Sequence, residues 1–222
     1  MASISIRQSI AWLPAPHSEP TSTVVLTSPG RWYVDVRILL SKDGAFLGDS
    51  ELEWALAGTS ESTAVTSGVS DCVWRHWVDS RHEDADTQVD RGRNTDQADG
   101  SVLETGAMVN PATGHIQNYE EVWQDTDVPA DSRCVVLQHE AGPDRGLTIV
   151  LGGYCQGILR AKDGVTVERW EQTTDRSWKR VYRSGAGQLP CGQLVSDLAL
   201  GKKGTTLVCD NLTWTVVETA QE

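Results

Sequence analysis

The chain has 222 residues, with 31 Asp and Glu against 19 Lys and Arg and a net charge of -12. That acidic excess, with no dense basic cluster, excludes a surface built to follow a phosphate backbone or an anionic membrane, so neither nucleic acid nor membrane is expected as a partner. Nine Trp and four Tyr stand against one Phe, a bias toward aromatic rings that also ask for a hydrogen-bond partner.

Alternating and β-branched patterns predict strands along almost the whole chain. In the first half they fall at Ile4 to Ile10, Thr21 to Thr27, Trp32 to Leu40, Leu52 to Ala57, Val73 to Asp79, Val102 to Val109 and Ile116 to Gln124. Lys42-Asp43-Gly44 and Asn110-Pro111-Ala112-Thr113-Gly114 read as turns between them. The second half continues at Val135 to Gln138, Leu147 to Gly152, Tyr154 to Arg160, Val165 to Gln172, Trp178 to Ser184, Thr205 to Cys209 and Leu212 to Glu218. Lys162-Asp163-Gly164 and Cys209-Asp210-Asn211 have the composition of hairpin turns. The reading is an all-β chain in two parts, residues 1–128 and 129–222.

Two stretches interrupt the meander. Glu83 to Gly100 is rich in Asp, Gln, Asn and Gly with Val89 as its one large apolar residue, which predicts a mobile loop at a barrel mouth. Gln188 to Leu200 holds Pro190 and a short apolar run and reads as a helical turn or a plug. Cys72, Cys134, Cys155, Cys191 and Cys209 lack metal-site spacing, so no metal site and no disulfide framework is expected. No basic region followed by an apolar stretch opens the chain and no window approaches the ~20 apolar residues of a membrane span, which predicts a cytoplasmic protein.

The same pattern occurs once in each half, Glu121-Val122-Trp123 and Glu168-Arg169-Trp170. Side chains two apart on a strand share a face, so each half presents an acid and an indole together, a pairing suited to a polar, aromatic-lined cavity. Val73 to His82 is the other candidate: strict alternation puts Trp74, His76 and Val78 on one face and Arg75, Trp77 and Asp79 on the other. His76, Asp79 and Glu121 are the candidate catalytic groups, as acids or bases. Arg75, Trp77, Glu104, Tyr119, Trp123, Tyr154, Gln156, Glu168 and Trp170 are the candidate ligand contacts. Plainer roles stay open for all of them: a surface Arg75–Asp79 ion pair, a hydrogen-bonded wall histidine, and Glu121 and Glu168 turned outward.

Several blocks resemble a known family. They are Leu52-Glu53-Trp54-Ala55-Leu56-Ala57-Gly58-Thr59, Leu103 to Pro111, Tyr119 to Trp123, Gly146 to Gly152 with Gln156-Gly157, and Lys202-Lys203-Gly204 with Leu212-Thr213-Trp214. Together they are similar to the fungal Hri family, in order from about Ile6 to Glu218. The resemblance implies two lipocalin-like or nitrobindin-like antiparallel barrel halves packed side by side, and a casein-kinase-type protein kinase as a partner. It carries no catalytic residue, and no cofactor is expected. Two function classes follow. The first is a barrel binding a small hydrophobic or aromatic metabolite in a Trp-lined pocket, with cofactor-independent cyclisation or isomerisation in a secondary-metabolite pathway as its chemistry. The second is a non-catalytic adaptor that binds the kinase.

Overall fold

The computed structural model describes residues 1–41, 44–45, 51–129, 131–197 and 201–220. Eight strands form an up-and-down meander: β1 (Ser3–Trp12), β2 (Thr21–Thr27), β3 (Trp32–Leu39), β4 (Leu52–Thr66), β5 (Val69–Asp79), β6 (Val89–Asp96), β7 (Val102–Val109) and β8 (Ile116–Thr126). The meander closes into a barrel where β1 pairs antiparallel with β8. Closure removes the sheet edges, so each barrel backbone finds its partner within the wall.

After Thr126 the chain enters a second antiparallel layer. Its strands are β9 (Cys134–Ala141), β10 (Asp144–Leu151), β11 (Tyr154–Ala161), β12 (Gly164–Gln172), β13 (Trp178–Ser184), β14 (Thr206–Cys209) and β15 (Leu212–Thr219). They are ordered β13-β12-β11-β10-β9-β15-β14, which leaves β13 and β14 at the two edges. The turn between β14 and β15 uses Asp210 and Asn211, both at positive φ (52° and 62°), the conformation a two-residue hairpin loop demands. The chain is thus all-β, with two antiparallel halves packed side by side, and the first of them is a closed barrel. The Lys42-Asp43 part of the expected first turn and Leu198 to Leu200 lie outside the described residues.

One core joins the layers. The outer wall of the barrel offers Val24, Leu26, Val34, Val36 and Ile38, and the second sheet answers with Val136, Leu147, Ile149, Ile158 and Val167. Each such side chain contributes roughly 1.5 to 3 kcal/mol on full burial. Two polar side chains cross this seam. Gln156 donates to the carbonyls of Val24 and Val34 at 3.0 and 3.2 Å, and Arg169 donates to Ser22 Oγ at 2.7 Å and to the Val36 carbonyl at 2.6 Å. The opposite face of the second sheet has its own core of Leu137, Val150, Cys155, Leu159 and Trp214. A short helix, α1 (Cys191–Ser196), buries Cys191, Leu194 and Val195 against that face, which realises the plug expected from Gln188 onward.

The expectation of a mobile loop over Glu83 to Gly100 is corrected. The segment forms one 3₁₀ turn, Ala85–Thr87, and then strand β6, which pairs with β5 and β7 in the barrel wall. It lacks apolar residues because it lies where the barrel has a polar interior on one side and solvent on the other.

Candidate functional site

Strand β3 shows how the sequence builds the barrel interior. Its Val34, Val36 and Ile38 point outward into the seam between layers, so Tyr33, Asp35 and Arg37 point inward. This inverts the ordinary barrel pattern, and the interior fills with charge. Arg37 places Nε and Nη2 on Asp35 Oδ2 at 3.0 and 2.8 Å, and its Nη1 reaches Glu121 Oε1 at 3.4 Å. Arg7 donates to Glu121 Oε1 at 2.5 Å and to Glu19 Oε2 at 2.9 Å. Burial opposes the charge on Arg37, but Asp35 and Glu121 more than offset it and its pKa rises.

A second network sits along β5. The register slips between Ala57, paired with Val78, and Gly58, paired with His76, so Trp77 is the extra residue of a bulge. Gly58 permits it, since a Cβ there would lie 1.9 Å from the Arg75 carbonyl oxygen. The bulge corrects the strict alternation expected for this strand: Trp77 and Val78 both face outward, and Asp79 turns inward beside His76. His76 Nδ1 lies 2.8 Å from Asp79 Oδ2 and Nε2 lies 3.0 Å from Asp90 Oδ2. Asp79 also accepts the Trp54 indole N–H at 2.8 Å. Burial works against a charged ring, yet hydrogen bonds to Asp79 and Asp90 raise the His76 pKa to about 9. The interior therefore holds three cations, Arg7, Arg37 and His76, and five carboxylates, Glu19, Asp35, Asp79, Asp90 and Glu121.

A third group lies on β7 and β8. Tyr119 donates its hydroxyl to Glu104 Oε1 at 2.8 Å. Gly106 makes room, because a Cβ there would stand 2.6 Å from the Tyr119 oxygen. Burial first, and then the neighbouring charge of Glu121, push the Glu104 pKa up to about 8, so at neutral pH it is predominantly a carboxylic acid.

Between these networks lies a cavity of about 190 Å³. Tyr33, Trp74, Trp123, Leu56 and Met108 give it aromatic and apolar walls, while Asp35, Asp90, Asn94, Glu104 and Glu121 give it polar ones. Ser3, Thr27, Arg31, Glu61 and Asp125 stand at the end where the barrel opens. Four of the lining residues carry a buried polar atom that meets no hydrogen-bond partner within the protein: Tyr33 Oη, Asp35 Oδ1, Asn94 Oδ1 and Trp123 Nε1.

Of the residues singled out in the sequence, Glu104, Tyr119, Glu121 and Trp123 line this cavity, and His76 and Asp79 stand behind its Asp90. The others lie elsewhere. Arg75 is on the outer surface, 3.4 Å from Glu61. Trp77 and Tyr154 pack in the seam between layers, beside Gln156. Glu168 and Trp170 occupy the far face of the second sheet, where the Trp170 indole donates to Glu168 Oε2 at 2.7 Å and Arg180 and Arg183 stand 3.6 and 3.8 Å from Glu168 Oε1. Sequence reasoning missed Arg7, Tyr33, Asp35, Arg37 and Trp74 as interior residues. The signal was present in β3, whose charged residues alternate with three β-branched ones.

Residues 3–218 match the family model described as Protein HRI1. Proteins of that name from Saccharomyces cerevisiae strains YJM789 and RM11-1a are each 28% identical to this chain over 237 aligned residues, covering 91% of it and 93% of the relative. The crystal structure of the uncharacterized protein YLR301w from Saccharomyces cerevisiae superposes with a TM-score of 0.81 over 99% of both chains at 22% identity, a likeness of fold.

Proposed function

The chain belongs to the HRI1 family, and on that premise we propose that its barrel is a receptor for one small aromatic molecule with a polar edge. The observation that carries this reading is the set of buried, unpartnered polar atoms, Tyr33 Oη, Asp35 Oδ1 and Trp123 Nε1, on three residues that line a 190 Å³ cavity. Buried donors and acceptors are expensive to leave unsatisfied, at about 1 to 3 kcal/mol each, so three around one space favour a ligand that completes them. The volume suits a single substituted ring, since an apolar cavity of about 150 Å³ takes up benzene.

If the site also performs chemistry, Glu104 is the group suited to it. A carboxylic acid that stays neutral at pH 7 can donate a proton or a strong hydrogen bond, with Tyr119 fixing its orientation, as a cofactor-independent isomerisation or cyclisation requires. His76, with both ring nitrogens engaged by carboxylates, serves in this reading to hold Asp90 at the cavity wall.

The test is titration with tyrosol, a neutral phenol, followed at the Trp123 indole N–H by NMR. A saturable shift of that resonance is expected, and Trp123→Ala should weaken binding by roughly 1 to 3 kcal/mol beyond any loss of fold. A Trp123 signal that stays still at saturating phenol and indole as well as tyrosol would remove the basis for the reading.

A second reading, an adaptor for a casein-kinase-type protein kinase, draws support from edge strand β13. Arg176, Lys179 and Arg180 are exposed along or beside it and Arg183 follows, a basic edge on an acidic protein. Such an edge suits strand addition by an acidic extended segment. Reversing Lys179 and Arg180 to Glu should abolish capture of the kinase in a purified two-component assay, and unchanged capture would discard β13 as the contact.

A further inference from the structure

The charge inside the barrel bears on what the proposed receptor holds, and this step rests on that reading. Arg7 and Arg37 share Glu121, and His76 lies between Asp79 and Asp90, so the cations are already engaged. The buried acids Asp35, Asp79 and Glu121 balance those three cations, and Glu19 and Asp90, with side chains 18% and 27% exposed, add negative charge where solvent still reaches. A surplus of one sign beside a cavity favours a guest of the other sign.

The unpartnered atoms say where. Both Arg37 contacts to Asp35 fall on Oδ2, so Oδ1 is left without a partner on a cavity-lining residue only 4% exposed. An acceptor on a carboxylate calls for a donor, and a charged donor makes the stronger bond. The faces of Tyr33, Trp74 and Trp123 add the electron-rich surface over which organic cations settle. The Trp123 indole N–H asks in addition for an acceptor. We propose that the occupant of the barrel is a small aromatic amine, its protonated nitrogen held by Asp35 Oδ1 and a ring oxygen substituent accepting from the Trp123 indole.

Three compounds of one skeleton test this at pH 7 by calorimetric titration of the intact protein: tyramine, tyrosol and 4-hydroxyphenylacetate, respectively cationic, neutral and anionic. Tyramine should bind about tenfold or more tighter than tyrosol, and 4-hydroxyphenylacetate should be weakest, as a charge-assisted hydrogen bond implies. Asp35→Asn should bring the tyramine-to-tyrosol ratio close to one. Equal affinities across the series, or a preference for the anion, would overturn the amine while leaving the receptor reading intact. No binding by any of the three would overturn both. Asp35 also pairs with Arg37, so if its variant does not fold, the series on the unaltered protein decides the question by itself.

Discussion

In the barrel, Glu121 faces two arginines and the Trp123 indole N–H meets no partner, whereas in the second sheet Trp170 closes its hydrogen bond on Glu168 two residues away. Both indoles lie on the face turned away from the seam between layers. What differs is the material above them. Helix α1 brings Leu194 and Val195 down on the second sheet, so apolar contact fills that side. The barrel has no comparable plug among the described residues and lines its hollow with charge. The same local pattern thus serves a packed core in one half and a candidate receptor in the other, which is why a motif argues for a function only once its surroundings are known.

The comparison can be broken most forcefully at the paired carboxylates. Glu121→Ala takes one of two carboxylate partners from each of the buried Arg7 and Arg37 and should cost about 3 to 5 kcal/mol in urea unfolding. Glu168→Ala should cost only about 1 to 2 kcal/mol, because its partners Arg180 and Arg183 are 43% and 31% exposed and keep water when it is lost. Equal costs would mean that the two acids sit in equivalent environments after all.

Next in size is a pH effect confined to the barrel. The His76 pKa rises from 6.5 to about 9 on folding, so its contribution is complete below pH 6.5 and is lost as pH climbs through 9. Glu104, raised from 4.5 to about 8, acts in the same direction between those two values. Unfolding free energy should therefore fall between pH 6 and pH 9. His76→Gln should flatten the upper part of that slope, losing on the order of 3 kcal/mol at pH 6 and little above pH 9. Glu104→Gln should flatten the lower part. A stability that rises over this range in the unaltered protein would contradict both assignments.

The smallest effect isolates the indole N–H itself. Trp123→Phe and Trp170→Phe lose the same ring, but Trp170→Phe also breaks a hydrogen bond to a carboxylate. It should be about 1 to 2 kcal/mol more costly in thermal or chemical unfolding. No difference would mean that the Trp123 N–H is satisfied in solution.

Most of the strand order was legible because alternation survives wherever one face meets the apolar seam, as in Thr21–Thr27, whose limits were expected as observed. Strand β6 was illegible for the converse reason: with Asp90 and Asn94 facing a polar cavity and Arg91 and Arg93 facing outward, neither face supplies the hydrophobic period that marks a strand. The relation of His76 to Asp79 was misread by a single residue of register. Alternation through Trp77 separates His76 from Asp79, and only the bulge that Gly58 admits brings them together. Glu104, Tyr119 and Trp123 needed no such correction because β7 and β8 pair without interruption.

The polar bridge across the seam has a mechanical consequence. Arg169 and Gln156, neighbours across β11 and β12, grip the carbonyls of β2 and β3 and so pin one side of the barrel to a rigid backing. Arg160 extends the grip to the Asp79 carbonyl at the end of β5. Among the described residues no such bridge reaches strands β6, β7 and β8. The barrel is therefore a vessel with one wall braced by the second sheet and one held by its own strand pairing alone, and the unbraced wall carries Asp90, Asn94, Glu104, Tyr119 and Trp123. Any widening that admits a guest falls on that side, so the residues that would read the guest are also the ones that yield to let it in.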